Sequence, residues 1–240
     1  MEGMSTVVLL HAFPFTSAMW APQVEVLRDR WHVMAPNLPD VPDIDGIADA
    51  VAGTIKALGS GPVVLGGLSM GGYVTLAVLR RHRELVRAVV LADTRAGADT
   101  PEVKERRANQ QMQAAAEGPA PIVEGALGSL PSAHTREHKP EVMDQLRAIA
   151  GNVTGGWIID ALEAMKNRPD STELLAEVDL PALVIVGEDD GVSPVEVAED
   201  MVRRLPNARL AVIPKAGHLS NLEDPDAFNA ELRSFLESLE

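Results

Sequence analysis

The stretch VLGGLSMGGYV, Val64 to Val74, decides how this chain is read. Val63, Val64 and Leu65 form a short apolar run suited to a buried strand, whereas Tyr73, Val74, Ala77 and Val78 recur at helical spacing. Ser69 therefore falls on the turn between them. A turn that sharp strains the backbone of its corner residue and leaves no room for side chains two positions to either side, a need that Gly67 and Gly71 meet. The first turn of the following helix aims free N–H groups and a positive dipole end at the corner. A hydroxyl there is placed as a nucleophile. The pentapeptide G-x-S-x-G says little alone in a chain with glycine at 19 of 240 positions, and its weight comes from its place at a strand-to-helix junction.

A length of 240 residues suits one hydrophobic core, with room for an insertion. The absence of cysteine excludes disulfides, thiolate metal sites and thiol catalysis together. The net charge of −14, from 35 acidic and 21 basic residues, sets up a field that repels phosphate backbones and anionic membranes, so neither nucleic acid nor a membrane is an expected partner. The longest early apolar run is Val7 to Leu10 and no basic segment precedes it, which predicts no signal peptide, no membrane span and a cytoplasmic protein.

Six short apolar or β-branched runs read as buried parallel strands: Thr6 to Leu10, Trp31 to Ala35, Pro62 to Leu65, Arg87 to Leu91, Ala182 to Val186 and Arg209 to Ile213. Helical spacing fills the intervals at about Ser17 to Arg28, Ile44 to Leu58, Met70 to His82, Pro194 to Leu205 and Pro225 to Leu239. Pro194 after Ser193 and Pro225 after Asp224 each read as a first helical residue behind a cap. Strand alternating with helix implies a mostly parallel sheet of about six strands covered on both faces. The alternation breaks between roughly Ala96 and Glu177, a helix-prone stretch punctuated by Pro119, Pro121, Pro131, Pro140 and Pro169. This predicts a helical insertion at 96–177 within a core made of 1–95 and 178–240. Most of its apolar residues, Met112, Ile122, Leu127, Met143, Trp157, Ile158, Leu162 and Met165, should pack helix on helix, with Trp157 and Met165 expected at the mouth of a pocket.

A serine hydroxyl needs a base to take its proton and a carboxylate to orient that base. His218, in IPKAGHLSNLEDP, follows a strand and precedes a helix, which puts it on the sheet edge that also carries Ser69; Leu219 can pack beneath its ring. His32, His82, His134 and His138 lie away from that edge and read as ordinary surface or structural side chains. For the carboxylate, VGEDDGVSP offers Glu188, Asp189 and Asp190 at a strand end, and Asp93, closing the strand that ends LAD, competes with them. His11, in LLHAFPFTSAMW, reads as a brace for a loop whose backbone N–H can donate to an oxyanion.

With these segments in place the chain resembles the α/β-hydrolase superfamily over nearly all its length. HAFP stands for the family's oxyanion loop, GLSMG for its nucleophile elbow, GEDDGVSP for its G-x-x-D loop and AGHLSNLEDP for its histidine loop, in the order Ser, Asp, His. The resemblance implies Ser69 as nucleophile, His218 as base and Asp190, three after Gly187, as acid. It also implies an oxyanion hole from the N–H groups of Phe13 and Met70, and a cap over the pocket from about Ala96 to Glu177. GHLSNLE and SAMW most resemble bacterial 3-oxoadipate enol-lactonase-like esterases. Three departures stand out. Too few residues precede Thr6 for the two antiparallel strands that open most members, which predicts an N-terminally shortened sheet. Ala12 stands where glycine is common, and PNLPDVPDID replaces a glycine-bearing turn.

The expected activity is that of a serine hydrolase acting on a small-molecule carboxylic ester or lactone, with Trp157, Met165 and Leu219 as pocket residues and no cofactor or metal. A thioesterase, carbon–carbon bond hydrolase or perhydrolase would keep the same residues. A ligand-sensing signalling protein of the same fold would instead turn over slowly and expose an apolar cap surface.

Overall fold

The computed structural model describes residues 4–240. In chain order the elements are β1 (Thr6–Leu10), α1 (Ala21–Leu27), β2 (His32–Met34), α2 (Ile44–Leu58), β3 (Val63–Leu68), α3 (Met70–His82) and β4 (Val86–Ala92). Helices α4 (Pro101–Glu117), α5 (Ala120–Ser129), α6 (Ala133–His138), α7 (Pro140–Ala150) and α8 (Gly155–Asn167) then intervene. The chain ends with β5 (Ala182–Gly187), α9 (Val195–Arg204), β6 (Ala208–Ile213), α10 (Ser220–Glu223) and α11 (Pro225–Glu237).

The six strands form one parallel sheet in the order β2-β1-β3-β4-β5-β6. Every residue of β1, β3 and β5 is buried, because a parallel sheet with helices on both faces presents neither side to water. β6, with ARLAVI, alternates in exposure as an edge strand does. Helices α1 and α11 pack together, as do α2 and α3. In α2, Ile44, Ile47, Ala48, Val51, Ala52 and Ile55 form the buried stripe. Asp43 caps its start by accepting from the Asp45 and Gly46 amides, and Gly59, at φ 65°, ends it.

Element boundaries differ from the sequence reading where backbone pairing overrides composition. The strand read as ending at Leu65 continues through Leu68, since Gly66 and Gly67 still pair with Leu9 and Leu10 on one side and with Val90 and Leu91 on the other. The segment Ser17 to Arg28 divides into a 3₁₀ turn, Ser17–Trp20, and α1. Pro194 is not helical: its ψ of 160° makes it the residue before α9, and Ser193 does not cap that helix. Pro225 does open α11, with the Asp224 carboxylate accepting from the Ala227 amide at 3.1 Å.

This strand order positions the site. From β1 the chain moves outward to β2, then returns to place β3 on the other side of β1. The reversal leaves a crevice at the C-terminal ends of β1 and β3, where the loops that follow them diverge. The two loops are His11–Thr16 and the corner at Ser69.

The corner is sterically closed. Ser69 has φ 53° and ψ −111°. A Cβ on Gly67 would lie 2.1 Å from the Gly71 carbonyl oxygen, and one on Gly71 would lie 2.1 Å from that of Leu10. Both clashes are with backbone, which cannot swing aside. Gly71→Ala should therefore cost at least about 3 kcal/mol and lower the melting temperature by about 10 °C, or abolish soluble expression. Gly53→Ala, in α2 with nothing within 4 Å of the added Cβ, should raise stability by about 0.5–1 kcal/mol. Thermal melts of the two variants against the parent check both.

Candidate active site

Ser69, His218 and Asp190 come together although they lie on three different loops. Ser69 closes the β3–α3 turn, Asp190 follows β5 and His218 follows β6. His218 Nε2 lies 2.8 Å from Ser69 Oγ, and His218 Nδ1 lies 2.8 Å from Asp190 Oδ2. A carboxylate only accepts, so the proton sits on Nδ1 and the Nε2 lone pair receives the serine O–H. The other Asp190 oxygen accepts from the Val192 amide at 2.7 Å and the Ser193 amide at 2.9 Å, which fixes the carboxylate. Asp190 and His218 are buried, while Ser69 keeps 9% of its surface exposed.

Burial pushes the His218 imidazole toward the neutral form. The charge of Asp190, its hydrogen bond and then the charge of Asp93 outweigh that, with Arg95 opposing, and hold His218 above its ordinary value. The competing acid, Asp93, accepts its hydrogen bonds from Gly187 and Ser220 and not from the His218 ring. It is fully buried and φ 44° turns its backbone aside. Its Oδ1 accepts from the Gly187 amide at 2.9 Å and its Oδ2 from the Ser220 hydroxyl at 2.6 Å. Burial first, then repulsion from Asp190, raise its pKa.

The loop after β1 lies beside the corner. The Phe15 amide donates to the Ala12 carbonyl at 3.0 Å, closing a turn around Phe13 and Pro14, and no acceptor for the Phe13 amide is found among the described residues. Met70 begins α3, so its N–H has no intrahelical acceptor. Neither amide is therefore committed to an acceptor among the described residues. His11 sits under the same loop, buried and neutral. Its Nε2 accepts from the Leu38 amide at 2.9 Å, so Nδ1 carries the proton and donates to the Ala12 carbonyl at 3.0 Å. It braces this loop against the one after β2.

Of the residues expected in a pocket, Trp157 is at one. Its ring stacks on Phe13, with centroids 5.9 Å apart at 17°, and its Nε1–H donates to the Leu38 carbonyl at 3.2 Å. It lines a cavity of about 180 Å³ together with His11, Phe15, Leu38, Asp40 and Thr154. Met165 and Leu219 are buried and do not line that cavity. Met165 lies about two turns beyond Trp157 along α8, and Leu219, next to His218, belongs to the hydrophobic core.

Several residues that hold the site had no role in the sequence reading. Thr94 donates its hydroxyl to the Ser69 carbonyl at 2.8 Å, and a side chain on Gly72 would collide with it. Glu223 is buried and accepts from the Leu219 amide at 3.1 Å and the Ser132 amide at 2.8 Å. Glu223 stands inside the quoted AGHLSNLEDP and Thr94 directly after the quoted LAD, but one threonine or glutamate carries no signal until its distant partner is known. Among the described residues no cluster of three His, Cys, Asp or Glu side chains is arranged to hold a metal ion, and no helix is long and apolar enough to cross a membrane.

A parallel sheet with a strained serine at the switch point, a histidine on its hydroxyl and a carboxylate behind defines a class of enzyme, the hydrolases built on this α/β scaffold. The chain belongs to the alpha/beta hydrolase family, whose family model matches residues 7–231. It is 37% identical to a thermophilic esterase from Thermogutta terrifontis, solved with malate bound, and superposes on it with a TM-score of 0.94 over 98% of this chain and 90% of that one. An enol-lactonase from Burkholderia xenovorans is 26% identical, with a TM-score of 0.89 over 98% and 92% of the two chains. Pimeloyl-[acyl-carrier protein] methyl ester esterase of Neisseria meningitidis is 30% identical over 98% of this chain and 94% of its own.

The pKa of His11 is lowered to about 4, because burial outweighs its bond to the Ala12 carbonyl. Between about pH 6.5 and 4 the unfolded chain binds a proton here that the folded chain does not, so stability falls as pH drops through that window. Replacing His11 by glutamine should remove about 2 kcal/mol from the stability difference between pH 7 and pH 5. Urea unfolding of parent and variant at the two pH values checks this.

Proposed function

We propose that this protein is a serine hydrolase that cleaves a small carboxylic ester or lactone through an acyl-enzyme. The observation that carries the reading is the continuous pair of 2.8 Å contacts from Ser69 Oγ through the His218 ring to Asp190. Ser69 Oγ attacks the acyl carbon as its proton passes to His218 Nε2, and Asp190 stabilises the imidazolium that results. The carbonyl oxygen, now an oxyanion, is received by the Phe13 and Met70 amides, each worth about 3 kcal/mol in comparable sites. The imidazolium returns the proton to the leaving oxygen. Water then attacks the acyl-enzyme with His218 again as base. In a lactone the first step opens the ring, the leaving oxygen stays attached to the acyl-enzyme through the chain, and hydrolysis in the second step releases the open hydroxy acid.

The names of the relatives support carbon–oxygen acyl chemistry, since a methyl ester esterase and an enol-lactonase both break an acyl–oxygen bond. We further read residues 96–177 as a cap on a core of residues 1–95 and 178–240. The reading is supported by two contacts across that division: Trp157 against Phe13 and Leu38, and the Leu130 carbonyl accepting from the His218 amide at 2.9 Å. We assign the cavity that Trp157 lines, which His11 and Phe15 of the loop after β1 also line, to the substrate's organic group.

Ser69→Ala should lower kcat/KM on a p-nitrophenyl ester by several orders of magnitude without unfolding the protein, and a phosphonate probe should label Ser69 in the parent and nothing in the variant. Asp190→Asn favours the wrong imidazole tautomer and should cost about 10⁴ in turnover, the magnitude known from serine proteases. Retained turnover in Ser69→Ala overturns the reading. Trp157→Ala should change the ratio of rates on short and long acyl esters. Met165→Ala should leave that ratio in place while costing about 2–4 kcal/mol of stability as a buried large-to-small change, read by denaturation.

A further inference from the structure

Two carboxylates, not one, converge on the histidine loop. Asp93 stands at the end of β4, fully buried, and three donors close on it. Its Oδ1 takes the N–H of Gly187, the last residue of β5 and three before Asp190, at 2.9 Å. Its Oδ2 takes both the amide of Ser220 at 3.2 Å and the Ser220 hydroxyl at 2.6 Å, two residues after His218. The Gly187 carbonyl in turn accepts from the Asp190 amide at 3.1 Å, so one side chain ties the start of the acid loop to the end of the base loop. Three donors suit an ionised carboxylate, which only accepts. Burial beside a second carboxylate opposes that same ionised state.

We propose that Asp93 is a positioning residue of this site in two respects: it holds the Asp190 and His218 loops in register, and its charge sets the proton affinity of His218 together with that of Asp190. The proposal rests on the reading of Ser69 as nucleophile and His218 as base. The charged groups that act on the pair are Asp190, which bonds to the imidazole, and Arg95, two residues beyond Asp93, which pulls His218 in the opposite direction. Ionised Asp93 stabilises the imidazolium and so raises the pH at which His218 loses its proton. Protonated Asp93 does not. Because like charges in one dry pocket do not ionise independently, the two titrations belong to the cluster and not to either residue.

His218 must be neutral to take the proton of Ser69, so the acid limb of the rate profile reports its proton affinity in this setting. The experiment is the pH dependence of kcat/KM on a p-nitrophenyl ester, from pH 4.5 to 8.5, for the parent, Asp93→Asn and Ser220→Ala. The rate at which a p-nitrophenyl phosphonate modifies Ser69 over the same range gives a second measure of the base. Loss of the Asp93 charge should move the acid limb to lower pH by about 0.5–1 unit and also lower the plateau. Ser220→Ala keeps the carboxylate but removes a hydroxyl that favours its ionised form, so its limb should move the same way by less. This second variant decides the matter if Asp93→Asn does not fold. A lowered plateau with an unmoved limb overturns the electrostatic half of the proposal and leaves Asp93 only as a brace for the loops. Failure of the underlying reading is distinguished by Ser69→Ala: turnover retained there removes the serine mechanism itself. A silent Ser69→Ala with an unmoved Asp93→Asn limb removes only the electrostatic role of Asp93.

Discussion

Helix α3 starts so close to β1 that the carbonyl of Leu10 fills the space where a side chain on residue 71 would be. This approach fixes the rest of the site. It forces glycine at positions 67 and 71, holds Ser69 at positive φ and turns its hydroxyl out of the sheet edge. It also brings the first amide of α3 beside the loop that follows β1. The Ser69 amide donates to the Ala92 carbonyl at 3.0 Å and the Ser69 carbonyl accepts from Thr94, so β4 holds the strained corner from the other side. Strain at a functional residue persists only where its surroundings over-determine it, and here they do.

The histidine loop is held differently, by three consecutive amides. The His218 amide donates to the Leu130 carbonyl, that of Leu219 to Glu223 and that of Ser220 to Asp93. The partners come from the helical stretch between β4 and β5, from α10 and from the end of β4. Ser132 adds a bond from its hydroxyl to the Lys215 carbonyl at 2.7 Å, and Gly217 passes so close to Ser132 that a Cβ would not fit. A displacement of the Leu130–Ser132 turn therefore reaches the imidazole through direct backbone contacts. Such contacts hold the base in place, and small misplacements of a reacting group are costly to rate.

Much of the fold was legible in the sequence because it follows from local patterns. Thr6–Leu10, Ile44–Leu58 and Met70–His82 coincide with the elements read from apolar periodicity, helped by Asp43 and Gly59 as start and stop of α2. Boundaries failed where pairing outranked propensity: Gly66 and Gly67 are poor strand formers, yet neighbours on both sides supply their backbone bonds. Ser193 reads as a cap, but Asp190 takes its amide, and the helix begins two residues later.

By itself the sequence determined the alternation of strand and helix, the serine at a glycine-flanked corner and a histidine loop on the same edge, since all of these depend on neighbours within a few residues. Only the tertiary structure decided among the acids. β5 lies between β4 and β6, so the loops carrying Asp93, Asp190 and His218 all meet, and strand order alone leaves two carboxylates within reach. The backbone angle at Asp93 turns its side chain to Gly187 and Ser220, while Asp190 faces the imidazole. The same holds for α8, where apolar residues cover more than one face. Packing against Phe13 and Leu38 brings Trp157 to the cavity and leaves Met165 in the core, because which face of a helix meets which neighbour is set by residues far away in the chain.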